Sequence, residues 1–266
     1  MSGWRCAGVT FRYPESAHPA VLDLSLEIPS GATTAVLGPN GSGKSTLLRL
    51  LLGILNPTAG TAEFGGRRVG EWGRDALARA VGVVPQGEDS VFPVSVRELV
   101  GMGRYPHLGA WRREGDADRR AVEEAMRRCD VWALAARPVP TLSGGERQRA
   151  RVARALAQEA ATLALDEPTA ALDVAHEMAI FELLRDLGHA GKTVLVVTHN
   201  LNLAARYADR LVLLHRGCVA AEGTPAEVLT RSLVSLARVE SARAVSSICR
   251  ALSAKAPRMP AIEPRN

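Results

Sequence analysis

The residues Gly38-Pro39-Asn40-Gly41-Ser42-Gly43-Lys44-Ser45-Thr46 join three glycines to a lysine and two adjacent hydroxyls. Glycine lets a backbone turn without Cβ clashes, so the N–H groups of such a loop can converge on one anion. The apolar run Thr34-Ala35-Val36-Leu37 precedes the loop, and Leu47-Leu48-Arg49-Leu50-Leu51-Leu52 follows it. Strand, glycine loop, helix is the context that a phosphate-binding loop requires, with the anion at a helix N-terminus whose dipole favours negative charge. Lys44 is then placed to reach β- and γ-phosphates, and the Ser45 hydroxyl to ligate the Mg²⁺ that bridges them. A plain glycine turn carrying an exposed lysine is the bland reading; a complete motif in its proper context argues against it.

Other groups with chemical potential stand where apolar strands end. Thr162-Leu163-Ala164-Leu165 predicts a short strand delivering Asp166 and Glu167 at its C-terminal end, where ligands sit in open α/β sheets. Adjacent side chains on a strand point opposite ways, so one carboxylate can serve a metal while the other faces an attacking water. Val81–Val84 predicts a buried strand ending at Pro85-Gln86. Gln86 is either an ordinary loop residue or a neutral ligand for Mg²⁺ and water. Lys192–Val197 predicts a fully buried strand, from which Thr198-His199 emerges on the same sheet edge as Asp166; His199 is either a bland strand-end residue or a contact for a γ-phosphate. Leu142-Ser143-Gly144-Gly145-Glu146 opens a long helix that Ser143 can cap, its glycines leaving an N-terminus bare of bulky side chains. That is a second candidate anion site. Tyr13, at the end of the first predicted strand, either packs at the core rim or offers its ring as a platform for adenine.

The elements that must position these groups follow from periodicity and punctuation. Trp4 to about Ile28 predicts two strands around a turn containing Pro14, Ser16 and Pro19. Thr61–Phe64 leads into a Gly-Arg hairpin, and a short helix is expected around Asp75–Ala80. From about Glu88 to Arg154 the chain reads mostly helical. Ser95 and Glu98 fit a capping box there, and a second helix is expected from Asp116 to Cys129. Between them Arg104–Gly109 is expected to be an exposed loop, and the mixed charges from Arg112 to Arg120 a solvated helix face rather than a nucleic-acid patch. Asp173 leads into a helix with Ile180, Leu183, Leu184 and Leu187 on one face, and Pro225 starts another. Beyond Leu236 only weak amphipathic signal remains, and from Ala254 the proline-containing tail is expected to be disordered.

Composition narrows the class. At 266 residues the chain suits one α/β domain with an insertion, or two small ones. No apolar run reaches the ~18–20 residues of a membrane-spanning helix, and Met1–Arg5 lacks the apolar segment of a secretory signal, so a cytosolic protein is expected. Four scattered cysteines without a Cys-x-x-Cys pair favour reduced thiols over a disulfide or zinc framework. A net charge of +5 permits contact with nucleic acid or an anionic membrane without arguing for either.

With the phosphate loop, Gln86, Leu142–Glu146, Asp166-Glu167, Asp173 and His199 in this order, the chain resembles an ABC transporter ATPase subunit from about Trp4 to Thr230. The resemblance implies an α/β P-loop NTPase fold: a RecA-like mixed sheet core, an N-terminal antiparallel β-subdomain and an inserted α-helical subdomain. Residues 1–236 would form the ATPase domain, with the helical insertion at about 88–154, and 237–266 a weakly structured extension. It further implies that Tyr13 stacks on adenine, that Gly38–Thr46 holds the phosphates, and that Ser45, Gln86 and Asp166 organise Mg²⁺. Glu167 would polarise the attacking water, His199 would contact the γ-phosphate, and Ser143, Gly144 and Gly145 would close over ATP held by a second copy, with Asp173 along the seam. Partners implied are a twin subunit in a twofold homodimer, transmembrane permease subunits and an upstream substrate-binding protein, with no nucleic acid. The place implied is the cytoplasmic face of the cell membrane, peripheral through the permease.

Gly103-Arg104-Tyr105-Pro106-His107-Leu108 and Thr198–Asp209 are similar to segments of ATPases that serve iron-chelate, haem and cobalamin importers, although those of the wider family usually carry aspartate where Asn200 stands. The alternative is a soluble ABC ATPase acting on nucleic acid or ribosomes. Against it, no sustained heptads separate the phosphate loop from Leu142, and only one such domain is present. A nucleotide-binding module with negligible turnover is the third reading, and the presence of Glu167 speaks against it.

Overall fold

The computed structural model describes residues 3–87, 93–108, 113–169 and 172–236. The expected extension 237–266, with its tail and Cys249, lies outside the described residues, as do Glu88, Gly109, Arg112, Ala170 and Ala171. In chain order the elements are β1 (Trp4–Phe11), β2 (Val21–Ile28), β3 (Thr33–Leu37), α1 (Lys44–Leu51), β4 (Ala59–Phe64), β5 (Arg67–Arg68), α2 (Arg74–Ala80) and β6 (Val81–Val84). They continue with α3 (Val96–Gly101), α4 (Tyr105–Leu108), α5 (Asp116–Arg128), α6 (Gly144–Ala157), β7 (Thr162–Asp166) and α7 (Val174–His189). The last are β8 (Thr193–Val197), α8 (Leu201–Tyr207), β9 (Arg210–His215), β10 (Cys218–Gly223) and α9 (Pro225–Leu236).

Two sheets organise these elements. β2-β1-β4-β5 is antiparallel, and β10-β9-β3-β8-β7-β6 is parallel except for β10 at its edge. The central strands are apolar throughout because both of their faces are covered. Side chains alternate between two cores. Ala35, Leu37, Leu163, Leu165, Val194 and Val196 join the cluster under α3, α5, α6 and α7. Val36, Ala164, Leu195 and Val197 join the cluster shared with α1 and the antiparallel sheet. Trp4 ties that second cluster together, its indole Nε1 donating to Leu51 O at 2.9 Å. Burial there pushes the Cys6 thiol up to about 12, and Cys129 rises as far for the same reason, so both stay protonated. Among the described residues no helix is long and apolar enough to cross a membrane.

The segment from Arg104 departs from the expected exposed loop. Residues 102–104 form a 3₁₀ turn that runs into α4, and Arg104 is buried. Pro106 sits in the first turn of α4, where its missing N–H is not needed; it starts a helix rather than breaking one. A Cβ at Gly103 would lie 2.2 Å from Arg154 O, so only glycine lets this turn reach α6. The Arg104 guanidinium then meets Asp118 Oδ1 at 3.0 Å, Glu159 Oε2 at 2.7 Å and Ala157 O at 2.7 Å. His107 Nε2 bonds Gln158 O at 2.8 Å, and Gln158 Nε2 donates to Val81 O at 3.0 Å. This motif is a bolt between the helical layer and the end of α6. Arg104→Met should therefore cost about 3–5 kcal/mol in a denaturant melt, since it breaks a buried ion pair and removes the guanidinium that joins Asp118, Glu159 and Ala157 O.

Candidate active site at the strand ends

Four neighbouring parallel strands, β3, β8, β7 and β6, end on one edge of the central sheet. Gly38–Gly43 leaves β3, Thr198-His199 leaves β8, Asp166-Glu167 ends β7, and Gln86 follows β6. These groups, distant in sequence, meet because the strands are in parallel register, as Val36↔Val197 and Asp166↔Val197 show. A cleft of about 560 Å³ lies at this edge, lined by Gly38, Pro39, Asn40, Glu167, His199 and Leu201 among others. Its size is that of a small-molecule site.

The loop is shaped by its glycines. Gly38 has φ 150°, and a Cβ there would meet Leu214 O at 2.3 Å; Gly43 has φ 101°, and a Cβ would meet Ala20 O at 2.4 Å. Gly43 caps α1, whose first turn holds no acidic side chain, so the dipole's positive end is uncompensated. Lys44 is buried, its ammonium donating to Gly38 O at 2.8 Å and Pro39 O at 3.1 Å. The lysine is thus already bent back over the loop. Tyr13 lies two residues past the end of β1, not in it. Its ring meets Phe11 edge-on at 4.9 Å and its hydroxyl lies 3.3 Å from Thr46 Oγ1, which fastens it to the loop's far end.

Ser45 Oγ donates to Asp166 Oδ1 at 3.3 Å. Burial pushes the Asp166 carboxyl above its ordinary range, and Glu167 beside it adds to this; the Ser45 hydrogen bond, Arg49 and Lys44 pull the other way. The Asp166 carboxylate and the Ser45 hydroxyl are hard oxygen donors at one place, and the Gln86 amide follows the neighbouring strand β6. They fit Mg²⁺ with several waters or phosphate oxygens completing its shell. Among the described residues no cluster of three His, Cys, Asp or Glu could hold a metal by protein ligands alone.

Glu167 does not continue the strand, as the sequence suggests it would. β7 ends at Asp166, and Glu167 has φ 44°, a left-handed conformation unusual outside glycine. Its N–H still donates to Val197 O at 2.9 Å, which holds the turn in place. The two carboxylates are separated by this turn rather than by the pleat. Glu167 Oε2 accepts from Gln86 Nε2 at 2.8 Å and stands 3.9 Å from His199 Nδ1. Its side chain is 14% exposed against 62% for His199.

Leu142–Glu146 contributes nothing to the walls of this cleft. The start of α6 is also less bare than expected. Ser143 Oγ accepts from Glu146 N at 3.2 Å while Glu146 Oε2 accepts from Ser143 N at 2.8 Å, a complete capping box. The Ser143 N–H holds the Glu146 carboxyl below its usual range, with Arg137 assisting. Asp173 caps α7, accepting from His176 N at 3.0 Å. Asn200 caps α8, accepting from Leu203 N and donating to Glu177 Oε2, each at 3.2 Å. Aspartate there would face Glu177 as a like charge, which gives the amide a local reason. His176 escapes a reading of the sequence altogether, since a lone histidine in the first turn of a helix carries no signal of its contacts.

Residues 21–170 match the ABC transporter family. A hemin import ATP-binding protein of Streptomyces coelicolor is 46% identical over 218 residues, covering 82% of this chain and 77% of its own. A ferric enterobactin transport ATP-binding protein of Escherichia coli K12 is 42% identical over 213 residues, covering 80% and 79%. Among solved structures, a metal-chelate type ABC transporter in an inward-facing conformation superposes with TM-score 0.75 at 32% identity, over 86% of each chain. A dimeric ATP-binding cassette in a post-hydrolysis state, bound to ADP and Pi, superposes with TM-score 0.73 at 30% identity over 84% of this chain and 98% of that one. A phosphate loop, paired carboxylates and a capped second helix, on a sheet of this order and with these relatives, make the chain a member of the ABC transporter family, as an ATP-binding subunit that hydrolyses ATP.

Proposed function

We propose that this subunit powers uptake of a metal chelate, of the iron-siderophore, haem or cobalamin class, through separate permease subunits fed by a substrate-binding protein. The relatives named for hemin and ferric enterobactin import support this, and favour transport over the nucleic-acid alternative. Residues 1–236 would be the ATPase domain, with the helical part of about 88–154 inserted and 237–266 as an extension. The subunit would sit on the cytoplasmic face of the membrane, held there by the permease.

The observation that carries the mechanism is that Gly38–Asn40, Glu167 and His199 line one cleft at the strand ends, to which Leu142–Glu146 would be added from outside. A second copy would supply that helix start, giving two composite sites in a twofold dimer. The N–H groups of Gly38–Thr46 and the Lys44 ammonium bind the phosphates of ATP, and Tyr13 faces the adenine. Mg²⁺, held by Ser45, Gln86 and Asp166, would neutralise charge on the β- and γ-phosphates. Glu167, aimed by the Gln86 N–H, accepts a proton from the attacking water, and His199 donates to the γ-phosphate. Ser143, Gly144 and Gly145 of one subunit complete the cage on the other's nucleotide, with Asp173 at the seam. Positioning and charge stabilisation do most of the work in such a transfer.

Two measurements test this. ATPase rate per molecule should fall steeply on dilution, as a shared site demands. In proteoliposomes with a chelate-importing permease, turnover should rise when the loaded binding protein is added. A rate indifferent to dilution in a chain that never pairs would remove the composite site. A rate indifferent to permease and binding protein would remove the transport role.

A further inference from the structure

Gly145 has an ordinary helical backbone, so its φ does not require glycine. Space does. A Cβ there would lie 2.8 Å from Cδ2 and 2.9 Å from Cγ of the His176 ring, closer than real Cβ atoms come to anything. His176 stands in the first turn of α7 and is pinned on its other side by Asp173. Its Nδ1 is 2.8 Å from Asp173 Oδ1 and 2.7 Å from Oδ2, while its backbone N–H donates to Oδ1 at 3.0 Å. A carboxylate only accepts, so Nδ1 carries the proton and the ring cannot turn without breaking that bond. Asp173 therefore does two jobs from one carboxylate: it caps α7 and clamps an imidazole against the first turn of α6.

We propose that His176 is a positioning residue for ATP hydrolysis, fixing the Gly144–Glu146 turn to Asp173 so that the two meet a partner's nucleotide as one unit. This rests on the composite site described above. The ring touches no substrate; it sets the angle at which the N–H groups of the α6 N-terminus are presented. With glycine at 145 the imidazole packs directly on the backbone, and any movement of Asp173 is passed to that turn without slack. Displacements of about 1 Å in such a group are enough to lower a rate severely. The contact is half-exposed, with the His176 side chain at 39%, so its loss should not endanger folding.

The test compares wild type, His176→Ala and His176→Asn in the full chain. Asparagine offers an N–H and a Cγ close to those of the ring, so it should hold Asp173 and still fill the space above Gly145. His176→Ala should bind a fluorescent ATP analogue with unchanged Kd, because the phosphate loop lies on other elements. Its kcat should fall roughly ten- to a hundredfold, and ATP-driven pairing in a Glu167→Gln background should need correspondingly more protein. His176→Asn should recover most of both. Wild-type kcat and pairing in His176→Ala would overturn the proposal, as would a loss of analogue affinity parallel to the loss of rate, the mark of general destabilisation. Were wild type itself indifferent to dilution, the composite site would fail first, and the two failures are told apart by that control.

Discussion

Glu167→Gln should abolish most turnover while leaving nucleotide binding intact. The substitution keeps the shape of the side chain and an oxygen for the Gln86 N–H that now donates at 2.8 Å. What it removes is the capacity to accept a proton. General-base removal costs about 10²–10⁴-fold in rate, and the upper part of that range is expected because Glu167 is the carboxylate that faces the cleft. Asp166, its neighbour, is buried, tied to Ser45 and not in the cleft wall, so it makes a poor substitute. With ATP bound and not consumed, two copies should stay joined, and gel filtration of the variant with Mg-ATP should show a stable dimer. Steady-state phosphate release measures the first claim. Unchanged release would strip Glu167 of its assigned role.

The site was legible in the sequence to the extent that its signals are local. Gly38–Thr46 lies between an apolar strand and an apolar helix, and glycine, lysine and hydroxyl spacing there is enough to announce phosphate. Apolar runs ending in Asp166-Glu167, Pro85-Gln86 and Thr198-His199 put each group at a strand end, and parallel pairing then brings the ends together. The order β10-β9-β3-β8-β7-β6 itself is not a local property, because it depends on which helices cover which face.

Four features escaped for physical reasons. Pro106 is a helix starter or a breaker according to what precedes it. Arg104 becomes a buried residue only because Asp118, Glu159 and Ala157 O, far along the chain, converge on it. The left-handed turn at Glu167 has no sequence mark, since glutamate seldom adopts it and the bond that fixes it, to Val197 O, comes from another strand. His176 belongs with them: its importance lies in Gly145, on another helix.

Lys44→Ala should act one step earlier than Glu167→Gln, on binding itself. In the structure Lys44 is 6% exposed, and its ammonium donates to two backbone carbonyls, Gly38 O and Pro39 O. Neutral carbonyls hold the cation in place without cancelling its charge. That charge is therefore available to a polyphosphate, and the desolvated setting strengthens the attraction. Hydrogen bonds to charged groups contribute about 1.5–3 kcal/mol each, so the loss of this one should weaken ATP by roughly ten- to 150-fold in Kd. Calorimetric titration in the presence of Mg²⁺ would read it directly. Lys44→Arg should rescue little, because a planar guanidinium is bulkier than an ammonium and the site is closed around the smaller group. Thermal unfolding of both variants separates this from a collapse of the loop: a variant that melts with wild type but no longer binds ATP has lost a contact, not a fold. An unchanged Kd in Lys44→Ala would mean that the loop's N–H groups and the α1 dipole suffice to hold the phosphates, and that the lysine's burial serves the loop alone.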